Sequence, residues 1–587
     1  MDIKIRNLEY LRKWLILGIL IGIAAGFGAI IFYYMIAYAQ DLFLGHMVGM
    51  SLPSSTSEGS QPYVPGNYLL VPVSIMLGGL FSGLLVYTFA PEAEGHGTDA
   101  MIESFHHKDG KIRRRVPLVK AIASAITIGS GGSAGREGPT AQIAAGIGSF
   151  LADTFRLSPS ERRIAVLVGT GAGIGTIFKA PIGGALLAIE VPYKRDFETN
   201  ALFPAIVASA IGYSIFGSIV GFQPIFGYYL GVFNPLSLPF FAILGVAAGI
   251  FVIFYVKVFY EVQGLFRSLR IKNHYKPMIG ALVVGVIALI FPEVMGVGYG
   301  WVQMLFNNSV QSLPTFGLPL LLVLIVLPFA KVFATSFSIG SGGSGGVFAP
   351  GIFIGASLGL IFGMLFNYIS PSIAASVTPF VIVGALAFMG GAGKIPISVL
   401  LMVTEMTGSL QLLPAAMIAV ALSYLISGQN TIYSSQVPTR TDSPAHAHEF
   451  DRPILENIKI KDLGTVDIAL TSEHSVSYAR KRMHSMGLTN LPVVDSKGGK
   501  VLGKVSMLNL HGGYLRKLGT APMDHIEAVR PQDSARRAMT IMAKCRTTWV
   551  PVVQKGKYMG CVTLGSVGDR YNKLFGDIFR KSSSSRK

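Results

Sequence analysis

Charge is scarce in this chain. Only 14% of its 587 residues are Asp, Glu, Lys or Arg, against about 25% in a soluble domain. The deficit lies before about residue 440, beyond which the sequence reads as an ordinary soluble domain. Acids are the scarcer sign, 31 against 49 Lys and Arg. A divalent-cation site needs several carboxylate or carbonyl oxygens, so a shortage of acids in the apolar part argues against a cation carrier. Cysteine is nearly absent. Cys545 and Cys561 both lie in the polar C-terminal part, which excludes a disulfide framework from the apolar part and predicts two reduced thiols. The apolar runs hold no nucleophile–base pair and no metal-ligand cluster. His46 has no second His within a helical turn, and His106-His107 adjoins a basic loop, where a surface position is expected. Enzymatic function and a metal cofactor are therefore not expected.

What is present is apolar length. The mean hydropathy is +0.53, and long apolar stretches cover residues 14–39, 69–89, 201–222, 238–262, 277–291, 318–337 and 347–368. Each approaches or exceeds the roughly 20 residues needed to cross a bilayer. The first is longer than a signal-peptide core of about 7–15 residues, so it is expected to be a retained membrane helix. The net charge of +18 suits nucleic-acid binding or a positive-inside membrane protein, and its placement favours the second. Basic clusters at 4–13, 108–115, 193–195 and 267–276 fall between apolar runs, whereas 49–67 has no Lys or Arg. The clusters are expected in the cytoplasm with both termini, and 49–67 outside. The lipid bilayer, not nucleic acid, is the expected environment.

Shorter apolar segments at 137–152, 181–190, 396–405 and 412–427 are too brief or too broken to span. Half-spanning helices are tolerated in lipid where their ends line an enclosed cavity. An internal repeat joins them. Ile128-Gly-Ser-Gly-Gly-Ser133 recurs unchanged as Ile339-Gly-Ser-Gly-Gly-Ser344, a separation of 339 − 128 = 211 residues, with Gly135 and Pro139 matched by Gly346 and Pro350. Downstream, Lys179-Ala-Pro-Ile through Glu190 matches Lys394-Ile-Pro-Ile through Glu405, at 394 − 179 = 215. The apolar part is thus two halves, about 14–222 and 233–433, which the basic loops allow to be inverted. Each Gly-rich motif runs into a helix with Pro in its first turn, a helix N-terminus with unpaired N–H groups and a positive dipole end. Two such ends brought together make an anion site without a full positive charge. Close helix packing is the plainer reading of one such loop; its duplication at broken helices favours the site. Glu137, in Gly135-Arg136-Glu137-Gly138-Pro139, reads as a capping charge or as a functional group, since an ionisable residue in a membrane is a functional candidate by default. It would compete with an anion for the same N–H groups, and protonation would free the site, giving a gate sensitive to pH and voltage. Lys120 would raise the positive potential behind it, or snorkel to the interface.

Gly-Arg-Glu-Gly-Pro at 135–139, Gly-Gly-Val-Phe-Ala-Pro at 345–350 and Asn-Thr-Ile-Tyr433-Ser resemble the CLC family of chloride channels and proton-coupled chloride transporters. The resemblance implies two inverted halves per subunit in a homodimer with one pore per subunit. It implies Glu137 as the gating glutamate, the N–H groups of Val347 and Phe348 as central-site donors and Tyr433 as the inner-gate hydroxyl, with His96, Gly97, Arg136 and Gly346 also expected to bind the anion. Two departures stand out. The family's Gly-Ser-Gly-Ile-Pro motif is here Gly95-His96-Gly97-Thr98-Asp99. An imidazole N–H can donate to an anion, more strongly when protonated, so acid is expected to strengthen anion binding through His96; a neutral, packing donor is the alternative. Second, Val191 follows Glu190 where proton-exchanging members carry a proton-loading glutamate. That looks like the channel branch, with Glu190 read as a structural helix-end carboxylate or a displaced proton acceptor. A proton-coupled antiporter is the rival on the same fold.

The tail carries its own repeat. Leu491-Pro-Val-Val494 recurs as Val550-Pro-Val-Val553, each after a helix and before a Gly-led strand at Gly503 and Gly560. This resembles a tandem pair of CBS domains, a regulatory α/β module that often binds adenine nucleotides. The Asp that such modules use for the ribose hydroxyls is replaced by Asn509 and Ser566, so loss of nucleotide binding is expected. The fold expected is an all-α polytopic membrane domain of two inverted halves with broken helices, plus an α/β CBS-pair cytoplasmic domain. Its divisions are a membrane domain at 1–437, a linker at 438–453, CBS modules at 454–515 and 516–577, and a disordered basic end at 578–587.

Overall fold

A computed structural model describes residues 9–55, 61–446, 455–497, 499–510 and 516–584. Parts of the expected basic N-terminal cluster (4–8), outer loop (56–60), linker (447–453) and basic end (585–587) lie outside the described residues. The chain divides into two compact units, Met1–Ala445 and His446–Lys587.

In the first unit, the described helices fall into two sets of eight. The first set is α1 (Tyr10–Gln40), α2 (Val71–Phe89), α3 (Thr98–His107), α4 (Val116–Gly129), α5 (Glu137–Thr154), α6 (Pro159–Ile177), α7 (Pro181–Glu190) and α8 (Leu202–Val220). The second is α9 (Leu238–Ser268), α10 (Lys276–Ile290), α11 (Tyr299–Phe306), α12 (Leu320–Gly340), α13 (Phe348–Ile369), α14 (Thr378–Gly393), α15 (Pro396–Thr407) and α16 (Leu413–Ile426). Seven helical stretches are long and apolar enough to span a bilayer, one for each long apolar run of the sequence. The remaining helices are shorter or lie deep in the protein, as broken helices must when lipid offers their ends no partner.

The halves meet around a pseudo-twofold axis. Matched pairs repeat, α5 against α6 and α13 against α14, α1 against α8 and α9 against α16. Helices on the axis pack against their own counterparts, α2 on α10 and α7 on α15. At the last contact each helix ends on the other's start. Glu190, closing α7, accepts from the N–H groups of Ile397 (3.1 Å) and Ser398 (2.8 Å) and from the Ser398 hydroxyl. Glu405, in the last turn of α15, accepts from the N–H groups of Ile182 (3.0 Å) and Gly183 (2.8 Å). Each carboxylate satisfies two of the donors that a helix start leaves open.

Two expectations about this unit change. Residues 438–445 were expected to belong to a linker, yet they are fastened to the membrane unit: Arg440 N–H donates to Asp196 (2.9 Å) and Arg163 to the Ala445 carbonyl (3.0 Å). His106 was expected at the surface and is buried. Its Nε2 donates to the Pro192 carbonyl (2.9 Å) and its Nδ1 pairs with the Ser443 hydroxyl (2.8 Å). A ring with two polar edges serves as a bolt between segments, and neither the Pro192 carbonyl nor Ser443 is adjacent to it in sequence.

The second unit has the expected order twice over. Strand β1 (Leu470–Thr471) runs parallel to β2 (Asn490–Val494), which is antiparallel to β3 (Val501–Ser506), with α17 (Val476–Met486) crossing between β1 and β2. The second copy has α18 (Ala535–Cys545) before the antiparallel pair β4 (Trp549–Gln554) and β5 (Lys557–Thr563), with Val529 bridging in parallel to Val552. The leading segments are exchanged relative to the expected module borders. Ile458, Ile460 and Leu463 pack in the second core with Val550 and Ile541, whereas Leu518, Ala521 and Ile526 pack in the first with Leu491 and Val505. A further helix, α19 (Leu564–Ser584), continues through 578–584, where disorder was expected. Its apolar positions 567, 571, 574 and 578 keep a helical period.

Loss of either cap should destabilise the membrane unit. Glu190→Ala and Glu405→Ala each leave two helix-start N–H groups unpaired, a cost of about 1–3 kcal/mol. Thermal unfolding in detergent is expected to show a lowered Tm for both, larger for Glu190, which also loses the Ser398 hydroxyl. In the tail, burial pushes the Cys561 thiol up to about 12, while Cys545 is partly exposed. A maleimide at pH 7.5 should therefore label the folded protein at one cysteine and the denatured protein at two.

Candidate functional site

The two Gly-rich loops adopt the same backbone, with Gly131 and Gly342 at φ of +102° and +100°, a region open to glycine and strained for other residues. They then pair with each other. Gly135 N–H donates to the Gly346 carbonyl (2.7 Å) and Gly346 N–H to that of Gly135 (2.6 Å), an antiparallel bridge between equivalent residues. Hydroxyl pairs flank it with the same symmetry, Ser124 with Ser344 (2.9 Å) and Ser133 with Thr335 (3.0 Å). The starts of α5 and α13 are thereby brought together in the interior, with Glu137 opening one and Val347-Phe348 the other.

Glu137 is buried. Its Oε1 accepts from the Tyr299 hydroxyl, and the N–H of Ala349, in the first turn of α13, faces the carboxylate. Arg136 lies between two rings, 5.4 Å from the centroid of Tyr33 and 5.5 Å from that of Tyr299. Phe348 meets Phe178 edge to face at 4.8 Å.

The His96 loop is stitched onto this centre. Gly95 N–H donates to the Gly343 carbonyl (2.9 Å) and Gly345 N–H to that of Gly95 (3.2 Å). Gly97 has φ +80°, and a Cβ there would lie 2.6 Å from the Gly138 carbonyl oxygen. The loop therefore crosses the first turn of α5 in backbone contact. Lys120 does not snorkel. It is fully buried, and its Nζ donates to the carbonyls of Ala93 (3.0 Å) and Gly95 (2.7 Å). Its Nζ thus sits directly beneath the loop.

The His96 ring lies 5.4 Å from that of Tyr433. Its Nδ1 accepts from the Asp99 N–H (3.4 Å), so the ring hydrogen sits on Nε2, and a second proton on Nδ1 would face that N–H. This geometry favours the neutral, donating imidazole over an acid-strengthened one. Tyr433 is buried, with the Thr98 side chain close to its hydroxyl. Asp99 ties the two loops together, accepting from the Ser434 hydroxyl (2.9 Å) and the Ser435 N–H (2.8 Å). Two cavities open toward this centre. One of about 360 Å³ is lined by Arg136, Tyr299, Tyr33 and Asp41. The other, of about 510 Å³, is lined by His96, Gly97, Asp99, Tyr260 and Ser434, together with the acids Glu92, Glu94 and Glu103 and the bases Lys108, Arg113 and Arg267. Val191 is fully buried, its carbonyl accepting from Gln436 (2.9 Å).

The structure thus gathers Glu137, His96, Gly97, Gly346, Val347, Phe348 and Tyr433 at one place, with Arg136 at the rim and Lys120 behind; Glu190 and Val191 lie with α7 and α15. Sequence reasoning missed Tyr299, Thr98 and the anchoring role of Asp99. A signal existed. Pro91-Glu92 with Gly95-His96-Gly97 recurs as Pro292-Glu293 with Gly296-Val297-Gly298, at 292 − 91 = 201. The different spacing hides it, because α12 is longer than α4. Lys331 matches Lys120, is equally buried and donates to the Val294 carbonyl (2.8 Å).

Comparisons with known proteins bear on the family and the fold. The family model for the voltage gated chloride channel matches residues 78–428, and that for the CBS domain matches 460–511. The chain is 29% identical over 423 residues to an uncharacterised protein of Methanocaldococcus jannaschii, covering 72% of this chain and 95% of that one. It is 30% identical over 382 residues to a putative chloride channel protein ClcB-like of Ralstonia nicotianae, covering 64% and 86%. Among solved structures, a slow cyanobacterial Cl−/H+ antiporter superposes with a TM-score of 0.61 at 23% identity, covering 72% of this chain and 96% of that one. A eukaryotic CLC transporter does so at 0.56 and 19%, covering 95% and 98%.

His96→Ser is expected to leave the pH dependence of anion affinity unchanged, because the neutral ring is the donor. Isothermal titration of chloride at pH 5.5 and 7.5 checks this; an affinity that rises on acidification in the parent and not in the variant would assign the charged ring.

Proposed function

Because this chain belongs to the voltage-gated chloride channel family, a family of membrane anion transporters, we propose that it passes chloride through a pore gated by Glu137, in the manner of a channel. The observation that carries the reading is the seat of Glu137, a carboxylate held where the starts of α5 and α13 meet. Those N–H groups attract any anion. With Glu137 charged, the side chain is itself the anion and the path is shut. Protonation removes its claim on the donors, and chloride takes the place.

On the entry side Arg136 supplies a fixed cation at the rim of its cavity. Behind the centre, the buried Lys120 lends positive potential to the His96 loop. The neutral His96 and the Tyr433 hydroxyl offer donors to an anion leaving toward the second cavity. None of these donors commits a full unpaired charge to the ion, so binding stays weak enough for release. The channel reading is supported by Val191, whose buried apolar side chain cannot relay a proton, and by Glu190, whose two oxygens are engaged by α15. A homodimer with one pore per subunit and both termini in the cytoplasm completes the proposal. The CBS pair is proposed to act without adenine nucleotide, since Asn509 and Ser566 are engaged in local turns with Ser506 and Thr563.

Flux from chloride-loaded proteoliposomes, with external chloride and pH recorded together, tests the proposal. Chloride efflux under valinomycin without proton uptake is expected. Stoichiometric proton uptake would make the protein an antiporter, and retention of chloride with release of fluoride would overturn the substrate.

A further inference from the structure

Tyr299 is used by nothing derived so far from the Gly-rich loops. It opens α11, directly after Gly298, whose φ is +88°. The loop that delivers it, from Pro292 to Gly298, is the counterpart of the loop from Pro91 to Gly97 that delivers His96. In that correspondence Tyr299 matches Thr98. Both carry a hydroxyl. That of Thr98 lies near Tyr433, and that of Tyr299 donates to Glu137.

The Tyr299 ring is held from two further sides. Arg136 lies over its face at 5.5 Å, and Phe226 packs edge to face at 5.5 Å. It is buried, yet it lines the same 360 Å³ cavity as Arg136. It thus stands between that cavity and Glu137, with its hydroxyl direction fixed by packing. A donor that is already oriented loses little freedom when it bonds.

We propose that Tyr299 is the latch of the gate, a positioning residue that holds the charged Glu137 side chain in the shut position. This rests on Glu137 being the gate. A hydrogen bond to a carboxylate is roughly twice as strong as one to a neutral carbonyl. The hydroxyl therefore favours Glu137 when it is charged and seated, and gives much of that up once the carboxyl is protonated. The latch sets how much acid is needed to open the path. Other groups facing Glu137 are Arg136 in its own turn, which also favours the charged form, and Tyr433 from the far side. Lys120 stands behind, against Gly97.

Chloride flux from proteoliposomes across pH 4.5–8 reads the latch directly. Tyr299→Phe keeps the ring, the Phe226 contact and the Arg136 contact, and removes only the hydroxyl. Its half-activation pH is expected to move up by about one unit, a tenfold change in the protonation equilibrium, with raised flux at pH 7.5. Glu137→Gln is expected to conduct independently of pH, and adding Tyr299→Phe to it should change nothing. An unshifted profile for Tyr299→Phe beside a pH-independent Glu137→Gln would overturn the latch and leave the gate standing. A Glu137→Gln variant that keeps the parent's pH profile would overturn both. Since Tyr299→Phe could act by loosening the fold, its Tm in detergent is measured beside the flux: a Tm equal to the parent's is expected, and a shift that comes only with a lowered Tm would also count against the latch.

Discussion

Two backbone hydrogen bonds between Gly135 and Gly346 govern the centre of this protein. Loop backbone at membrane depth has no water to satisfy it, so its polar groups must find partners in the protein. Here the loop of one half finds them in the loop of the other. Because the residues are equivalents and run antiparallel, the pairing creates a local twofold axis, and the halves must be inverted about it. That one contact brings the starts of α5 and α13 together. A side chain on either glycine would enter this contact: a Cβ on Gly346 would lie 2.9 Å from the Gly135 carbonyl oxygen.

The same chemistry, a carboxylate at a helix start, occurs in two distinct settings around the axis. Glu190 and Glu405 reach across to helices other than their own and each accepts from two N–H groups. Moving either would strand both donors, so these acids are structural. Glu137 belongs to the helix whose start it occupies and is held mainly by one side-chain hydroxyl. A charged group that gives up one bond to a tyrosine can move; one that closes another helix cannot. Identity does not separate these acids, and burial does not separate Glu137 from Glu190. The ownership of the helix does.

That distinction bears on what was legible in the sequence. The long spans, the four short helices and the two halves followed from apolar length and the repeats at 211 and 215 residues. The convergence of Glu137, Val347, Phe348 and Tyr433 followed from the motifs and the family resemblance. Hidden were relations between segments with no shared local pattern. The loop repeat that delivers Tyr299 is offset differently because α12 is longer than α4. His106 looks like surface from its basic neighbours, yet its partners are Pro192 and Ser443. The exchanged leading segments of the tail are equally invisible, since both cores ask only for apolar residues at those positions.

Helix α3 shows how such relations make a working part. Its first turn carries Asp99, which holds Ser434 and Ser435 directly after Tyr433. Its last turn carries His106, which holds Ser443. One ten-residue helix thus fastens the chain at two points on its way out of the membrane unit, and its N-terminal side continues into the His96 loop. The replacement of the family's Pro by Asp99 then has a physical meaning. Proline could only stiffen the start of α3, whereas a carboxylate there also binds the segment that positions Tyr433. The position that departs from the family's motif is the one that couples the two loops.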